Sequence, residues 1–422
     1  MEKTLITLLL ASLVTPFSAH GDKLTLADAL ARRNDTSHVL KMAKLDELIA
    51  GDSITANRSG YLPRIDFQGG YAAQLEPQSV NTPFSTFQTQ DRDYAFASLG
   101  ITQTIYDFGR TGNRVRQAEA LHSAAYSGYR SQEQEQFLRT VTSYFLILQE
   151  QKLLAAADDE MAQMTDHLRV AKNLYEEGVV TRNDLLQAEV RLASSTQKRL
   201  ATCNRLENAW LDLNNQIGAP PEARAELVEE TKIDPVALNE PAAQAVVKRP
   251  ELETQRRLLE AREADVKETR SGYLPELFAK LGLDYVQNSH VQEQTIYSAT
   301  VGLKINLFDG LATTASHRQA VKSRSRAEVE LHQLESDLAL EFRTAVNDAR
   351  VAKERIALSE TSINQGEENL RINKDRYAEQ VGTATDVIDA QTLLSQVRAE
   401  HFQAIFDYEV ALARVKRARG EL

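Results

Sequence analysis

The chain has 422 residues and a formal charge of −11, from 60 acidic and 49 basic side chains. That balance argues against a nucleic-acid partner, because phosphate binding needs a basic face. Sparse glycine and proline with few aromatics favour long helices over a compact sandwich, and a single cysteine, Cys203, leaves no internal disulfide framework.

Residues 1–21 read as a secretory signal. Lys3 is the basic start, Leu5 to Val14 is an apolar run, and Pro16 ends it. Ala19-His20-Gly21 puts small residues at the two cleavage positions, so the cut is expected after Gly21. The apolar run is about half of the roughly 20 residues that a helical span needs. No cysteine directly follows the signal to accept a lipid. No later apolar run is long enough for a membrane helix. The mature chain is therefore expected over 22–422.

The pentapeptide SGYLP occurs at Ser59–Pro63 and again at Ser271–Pro275, 212 positions apart. Beyond it the repetition continues at a spacing of 202. Gly100 matches Gly302, Asp107 matches Asp309, and Arg116-Gln117-Ala118 matches Arg318-Gln319-Ala320. Tyr175, Glu177, Val179, Thr181, Asp184, Ala188 and Leu192 match Tyr377, Glu379, Val381, Thr383, Asp386, Ala390 and Leu394, and Gly218 matches Gly420. The change from 212 to 202 makes the first hairpin ten residues longer than the second. The chain is an internal duplication, with halves 22–230 and 231–422.

Each half carries two strand-like runs, within 61–106 and 273–308. In the second half Leu277, Ala279, Leu281, Leu283 and Tyr285 alternate with polar or small residues, and so do Tyr297, Ala299, Val301, Leu303, Ile305 and Leu307. In the first half Ile65, Phe67, Tyr71 and Leu75 do the same. Ala95, Ala97, Leu99 and Ile101 alternate less cleanly, since Tyr94 and Phe96 take the other face. Period-two alternation over about 10 residues is what a tilted strand needs to cross a bilayer. One such hairpin alone would fit a soluble, half-buried sheet. Two in an exported chain, with no second sheet to cover them, favour the membrane.

Almost everything else reads as helix. Gly112 to about Glu176 is free of proline and rich in strong helix formers, a span of roughly 95 Å at about 1.5 Å per residue. Leu311–Ala378 is its counterpart. The return runs are Thr181–Ile217, broken by GAPP (Gly218 to Pro221), then Pro241–Ser271, Thr383–Arg419 and the N-terminal Leu24–Gly60. Four strands cannot close a barrel in lipid, where each unpaired backbone group at an open edge costs several kcal/mol. Chains must pool strands. Two chains would give eight strands and a bore filled by side chains, whereas three would give twelve and an aqueous lumen.

On the two GYLP segments, on YDFG and FDG after the second strand of each half, and on YEEGVVTRNDLLQAE and YAEQVGTATDVIDAQ at the helix reversals, the chain resembles the TolC family of outer-membrane channels. The resemblance covers nearly the whole mature chain. It implies a mainly α protein with membrane β: a homotrimer sharing a twelve-stranded β-barrel in outer-membrane lipid, four strands per chain. Beneath the barrel it implies a long α-helical barrel extending into the periplasm. It also implies a passive exit duct for a tripartite efflux pump or type I secretion system. A periplasmic adaptor and an inner-membrane transporter would be the partners, without cofactor, metal or catalysis.

The reversals near Glu177–Asp184 and Glu379–Asp386 would be the far ends of the duct. Thr181-x-x-Asp184 and Thr383-x-x-Asp386 fit capping boxes. The resemblance adds that Asp184, Asp386 and Asp389 form acidic rings at the closed mouth, with Tyr377 in the closing network. No arginine stands at the family's place on the second tip, which holds Ala384 and Thr385, and Arg182 on the first tip is the candidate substitute. Gly178, Val179, Val381, Gly382 and Thr383 resemble the tip motif that docks the adaptor, although Glu177 stands where valine is usual. The alternative is a periplasmic coiled-coil scaffold or adaptor without a barrel, which would have no need of the alternating hairpins.

Overall fold

A computed structural model of the chain describes residues 23–229, 233, 241–379 and 381–422. The signal segment 1–21 lies outside the described residues, as does the boundary at 230/231 between the halves. In chain order the elements begin with β1 (Lys23–Leu24), α1 (Leu26–Thr36) and α2 (His38–Arg58). β2 (Arg64–Ala73), β3 (Ser79–Asn81), β4 (Thr86–Gln88) and β5 (Asp93–Tyr106) follow, then α3 (Arg110–Glu176) and α4 (Arg182–Ile217). The second half holds β6 (Glu226–Leu227), α5 (Ala242–Ala245), α6 (Pro250–Ser271), β7 (Glu276–Val286), β8 (Thr295–Lys304), α7 (Ala312–Ala378) and α8 (Ala384–Ala418).

The long helices fall where the helix formers run unbroken. Two expected helices are each divided. Leu24–Gly60 becomes α1 and α2, parted at Ser37, whose backbone leaves the helix at φ −57, ψ 115. Pro241–Ser271 breaks at Arg249 (φ −65, ψ 127), because the ring of Pro250 excludes the helical conformation from the residue before it. Pro250 then starts α6, where its missing N–H costs nothing. β8 ends at Lys304, so Ile305 and Leu307 lie beyond the strand expected to include them.

Two compact units emerge, and both draw on both halves of the duplication. One comprises the described residues of Met1–Ser37, Phe137–Pro235 and Asp348–Ala413. Its core joins Leu24, Val141, Phe145, Trp210, Leu213 and Phe406. The Tyr144 hydroxyl lies 3.0 Å from the carbonyl oxygens of both Leu24 and Val228, and ties α3 to the short parallel pair β1–β6. The other unit comprises the described residues of His38–Gln136, Val236–Asn347 and Arg414–Leu422, and holds the four-stranded sheet.

Gly218 and Gly420, paired by the 202-residue spacing, are both left-handed, at φ +67 and +70. Each is also pressed against chain. A Cβ on Gly218 would fall 2.7 Å from the Thr36 side chain, and one on Gly420 would fall 2.6 Å from the Lys248 carbonyl oxygen. Only glycine meets both demands without strain.

Candidate functional site

The sheet runs in the order β2-β5-β7-β8, antiparallel throughout. Its register settles which side chains share a face. Ile65, Ile101, Leu281 and Ala299 stand in one row across the four strands, and Phe67, Leu99, Leu283 and Tyr297 in another. Ala279 with Val301 and Leu277 with Leu303 continue that face. The opposite face carries Arg64, Thr102, Lys280 and Thr300 in one row, and Asp66, Gly100, Gly282 and Ser298 in the next. The sheet is thus apolar on one side and polar on the other, as the alternation anticipated. Phe67, Tyr297 and Val301 are more than two-thirds exposed, at 74%, 78% and 72%. Nothing among the described residues covers the apolar side at these positions.

Two aromatics on the polar face have a local reason. The Phe96 ring lies over Gly70, and the Phe278 ring over Gly302, where an added Cβ would come within 2.8 and 2.6 Å of them. Each ring covers backbone that glycine leaves bare. On the apolar face Tyr71, Tyr285 and Tyr297 gather toward the loop end. Tyr61, Tyr106, Phe108 and Tyr273 gather at the helix end. An apolar band between two aromatic belts is the pattern of a strand wall facing lipid.

The reversals lie in the other unit. After α3, Gly178 turns the chain at φ +72, and the Val179 N–H donates to the Leu174 carbonyl at 2.8 Å. Thr181 then caps α4: its N–H and hydroxyl donate to the Asp184 carboxylate at 2.8 and 2.7 Å, and the Asp184 N–H returns to its hydroxyl. At the second tip the Thr383 N–H donates to Asp386 at 2.9 Å, and the Asp386 N–H donates back at 3.2 Å. These bonds hold both carboxyls below their ordinary range: at Asp184 chiefly the Thr181 hydroxyl, at Asp386 chiefly the Thr383 N–H. Gly382 is not left-handed. It is crowded instead, since a Cβ there would lie 3.1 Å from that of Arg376.

Asp389, expected in the acidic ring, is reached by Arg191 on α4 at 3.3 Å. Tyr377 joins His167, Asp184, Arg191, Thr383 and Ile388 in lining a cavity of about 340 Å³. Burial lowers the His167 pKa, and the nearby Arg191 charge adds to the shift. Arg182 has no ion-pair partner among the described residues, and Val179 and Val381 are both about two-thirds exposed, at 67% and 68%. Among the described residues no group of three or more metal-ligating side chains comes together, and no helix is long and apolar enough to cross a membrane.

The sequence model described as outer membrane efflux protein matches residues 26–219 and 242–421, one segment in each half.

The chain belongs to the outer membrane efflux protein family.

Curated relatives agree. The alkaline protease secretion protein AprF of Pseudomonas aeruginosa is 24% identical, covering 93% of this chain and 83% of that protein. Outer membrane protein TolC of Vibrio cholerae is 24% identical over 93% of this chain and 89% of its own. Among solved structures, the outer-membrane channel OprN superposes with a TM-score of 0.82 at 17% identity, covering 94% of this chain and 90% of that one. VceC of Vibrio cholerae gives 0.82 at 15%, covering 94% and 96%. This efflux-family protein is an outer-membrane exit duct of the efflux and secretion class, and the reading as a soluble scaffold is set aside. Arg191 is the tip residue that sequence reasoning missed. Its one signal is position: it lies seven residues past Asp184, two turns along the same helix face.

Proposed function

We propose that three copies of this chain close the duct, and that its periplasmic tips form both its gate and the docking site for an adaptor. The observation that carries the reading is the sheet's pair of unpaired edges, β2 and β8. Strand direction alternates from β2 to β8, so β8 of one copy would meet β2 of the next antiparallel. Three copies give twelve strands and a lumen, where two would give a plugged bore. Val179 and Val381 on the tips fit an adaptor contact with Gly178, Gly382 and Thr383. Asp184, Asp386 and Asp389, with Tyr377 and Arg182, fit a gate. The chain would be a passive conduit without catalysis, its energy coming from an inner-membrane transporter.

Converging carboxylates concentrate cations and repel anions. Reconstituted channels are therefore expected to be cation-selective and blocked by multivalent cations from the tip side. Asp389→Ala should weaken both properties, and Arg191→Ala should strengthen them by removing the partner of Asp389. A reversal potential unmoved by either variant would leave the tip carboxylates as caps only. The wall is tested separately. Leu281→Arg, mid-strand on the apolar face, should cost about 2–4 kcal/mol per chain and lower membrane-assembled yield. Lys280→Arg, beside it on the polar face, should change little.

A further inference from the structure

The ten residues by which the first hairpin exceeds the second build a feature of their own. β3 and β4 form a small antiparallel hairpin with Val80 opposite Phe87. Its turn is closed by the Thr82 N–H donating to the Ser85 carbonyl at 2.9 Å, which places Pro83 and Phe84 at the tip. The second half connects β7 to β8 through 287–294 with no such element.

The hairpin is held as a continuation of the sheet. The Gln74 N–H donates to the Arg92 carbonyl, and the Thr89 N–H to the Gln78 carbonyl, both at 2.8 Å. Its base is fixed to the neighbouring loop. The Asn288 side chain donates to the Thr89 carbonyl at 2.9 Å, and the Ser289 N–H and hydroxyl both donate to Asp91 at 2.6 Å. It is therefore a positioned element.

Its surface does not suit water. From Pro77 to Gln90 there is no Asp, Glu, Lys, Arg or His, in a chain where 26% of residues are charged. Phe84 is 97% exposed, and Val80 and Phe87, which share one face, are more than half exposed. Leu75, between β2 and this hairpin, is also exposed. The other face pairs Asn81 with Thr86 and Ser79 with Gln88. A two-stranded hairpin with one apolar face is marginal unless that face is covered. Among the described residues no element covers it.

What covers it follows from where the hairpin springs. Tyr71 lies near the end of β2, and Tyr71, Tyr285 and Tyr297 form the aromatic belt at the loop end of the apolar face. Aromatic belts sit at the headgroup level. Val80 is nine residues past Tyr71, and the hairpin's base is tied to the loop beside that belt. We propose that this hairpin lies on the external surface of the membrane and seats Val80, Phe84 and Phe87 in the headgroup boundary of the outer leaflet. It would anchor the first half of each copy where the second half has nothing equivalent. The proposal rests on the reading of the sheet as a lipid-facing wall.

Single cysteines placed by Phe84→Cys, Phe87→Cys and Leu99→Cys, in a Cys203→Ser background, carry a spin label in phospholipid vesicles that contain lipopolysaccharide. Collisions with oxygen, which enters lipid, are compared with those of a water-soluble nickel chelate. The expected result is oxygen-favoured labels at 84 and 87, shallower than the label at 99. An oxygen-favoured label at 99 with chelate-favoured labels at 84 and 87 puts the hairpin in water and overturns the proposal while the wall stands. Disulfide-linked dimers of unlabelled Phe84→Cys would put the apolar face against a second copy instead. A chelate-favoured label at 99 removes the wall, and the proposal with it.

Discussion

The turns at Gly218 and Gly420 share one backbone design and are secured by different chemistry. Each glycine is left-handed and crowded by the chain just before a helix break: Thr36 ahead of Ser37, and Lys248 ahead of Arg249. Those neighbours are themselves 212 residues apart, the offset of the SGYLP repeat. Around Gly218 the polar groups are mostly uncharged. The Thr140 hydroxyl donates to Gln216 at 3.0 Å, Gln216 donates to Ser143 at 2.8 Å, and both Ser143 and Gln216 donate to Asp212. Among the described residues Arg139, half exposed, adds an ion pair to Asp212, at 2.8 Å. Around Gly420 the groups are charged, and one of them is interior. Arg249, 1% exposed at its side chain, grips Glu251 at 2.9 and 3.0 Å and Glu341 at 3.1 and 3.2 Å, each through two bonds. Arg417 joins Glu341 and Glu135. The duplicate positions are inverted in charge: Arg139 corresponds to Glu341, and Asp212 to Arg414. The glycine and its crossing are what the geometry demands. The network beside them is free to change as long as most of its buried polar atoms find a partner.

The largest expected effect probes that difference directly. Arg249→Met removes the interior guanidinium, leaves the part-buried carboxylates of Glu251 and Glu341 short of a partner, and should cost about 3 kcal/mol, the low end for breaking a buried pair. Thr140→Val, which deprives Gln216 of a donor, should cost about 1–3 kcal/mol. Backbone hydrogen exchange in α6 and α4 reads the two sites separately. Equal losses would mean that the charged groups hold no more than the hydroxyls do. Combining Arg249→Met with Glu251→Leu should recover part of the loss, since an apolar replacement needs no partner and Glu341 keeps Arg417.

The glycines come next. Gly218→Ala and Gly420→Ala both put a side chain in a left-handed conformation, at about 1–2 kcal/mol. Gly420→Ala should be the worse, because a backbone carbonyl blocks it where a threonine side chain blocks the other. A smaller cost at Gly420 would mean that the Lys248 segment yields more readily than its position suggests.

Acid should loosen both turns. Burial tends to raise Glu251, but hydrogen bonds and charge from Arg249 prevail and hold it below its ordinary range. At Asp212 burial is likewise outweighed, by the Ser143 and Arg139 contacts. A lowered carboxyl in the folded chain contributes stability that is complete above the ordinary carboxylate range, near pH 4, and lost as pH falls below it. Glu251→Gln should blunt the acid response in α6 and leave that in α4 unchanged.

The smallest effect is salt. The exposed Arg139–Asp212 pair contributes at most about 1 kcal/mol, so the cost of Arg139→Ala should fade at high ionic strength. The cost of Arg249→Met should persist there.

Much of this was legible before any coordinates. The 202 and 212 offsets paired Gly218 with Gly420 and one hairpin with the other. Alternation assigned both faces of the sheet, and Thr-x-x-Asp announced both caps. Such features are local, and a residue and its near neighbours suffice to write them. The break at Arg249 was also on the page, in the Pro250 that follows it. What stayed hidden depends on contacts distant in sequence. Arg191 and Asp389 lie 198 positions apart, and the five residues of the Arg249 network are scattered from 135 to 417. Nothing in a local pattern says that an arginine among so many will be interior. The hairpin at β3–β4 went unread for another reason: its strands are three residues each, too short for alternation to register.

The sheet's strand order has a genetic corollary. Its two unpaired strands are the first and last of the sheet, so no chain can finish the wall alone. In the proposed trimer each copy must offer a sound edge to two neighbours. A single chain with a defective β2 or β8 would open every wall that it enters, whatever the quality of the others. Alleles that damage these edges but leave the chain stable and exported should therefore be dominant over the normal allele, and alleles that stop the chain from being made should be recessive.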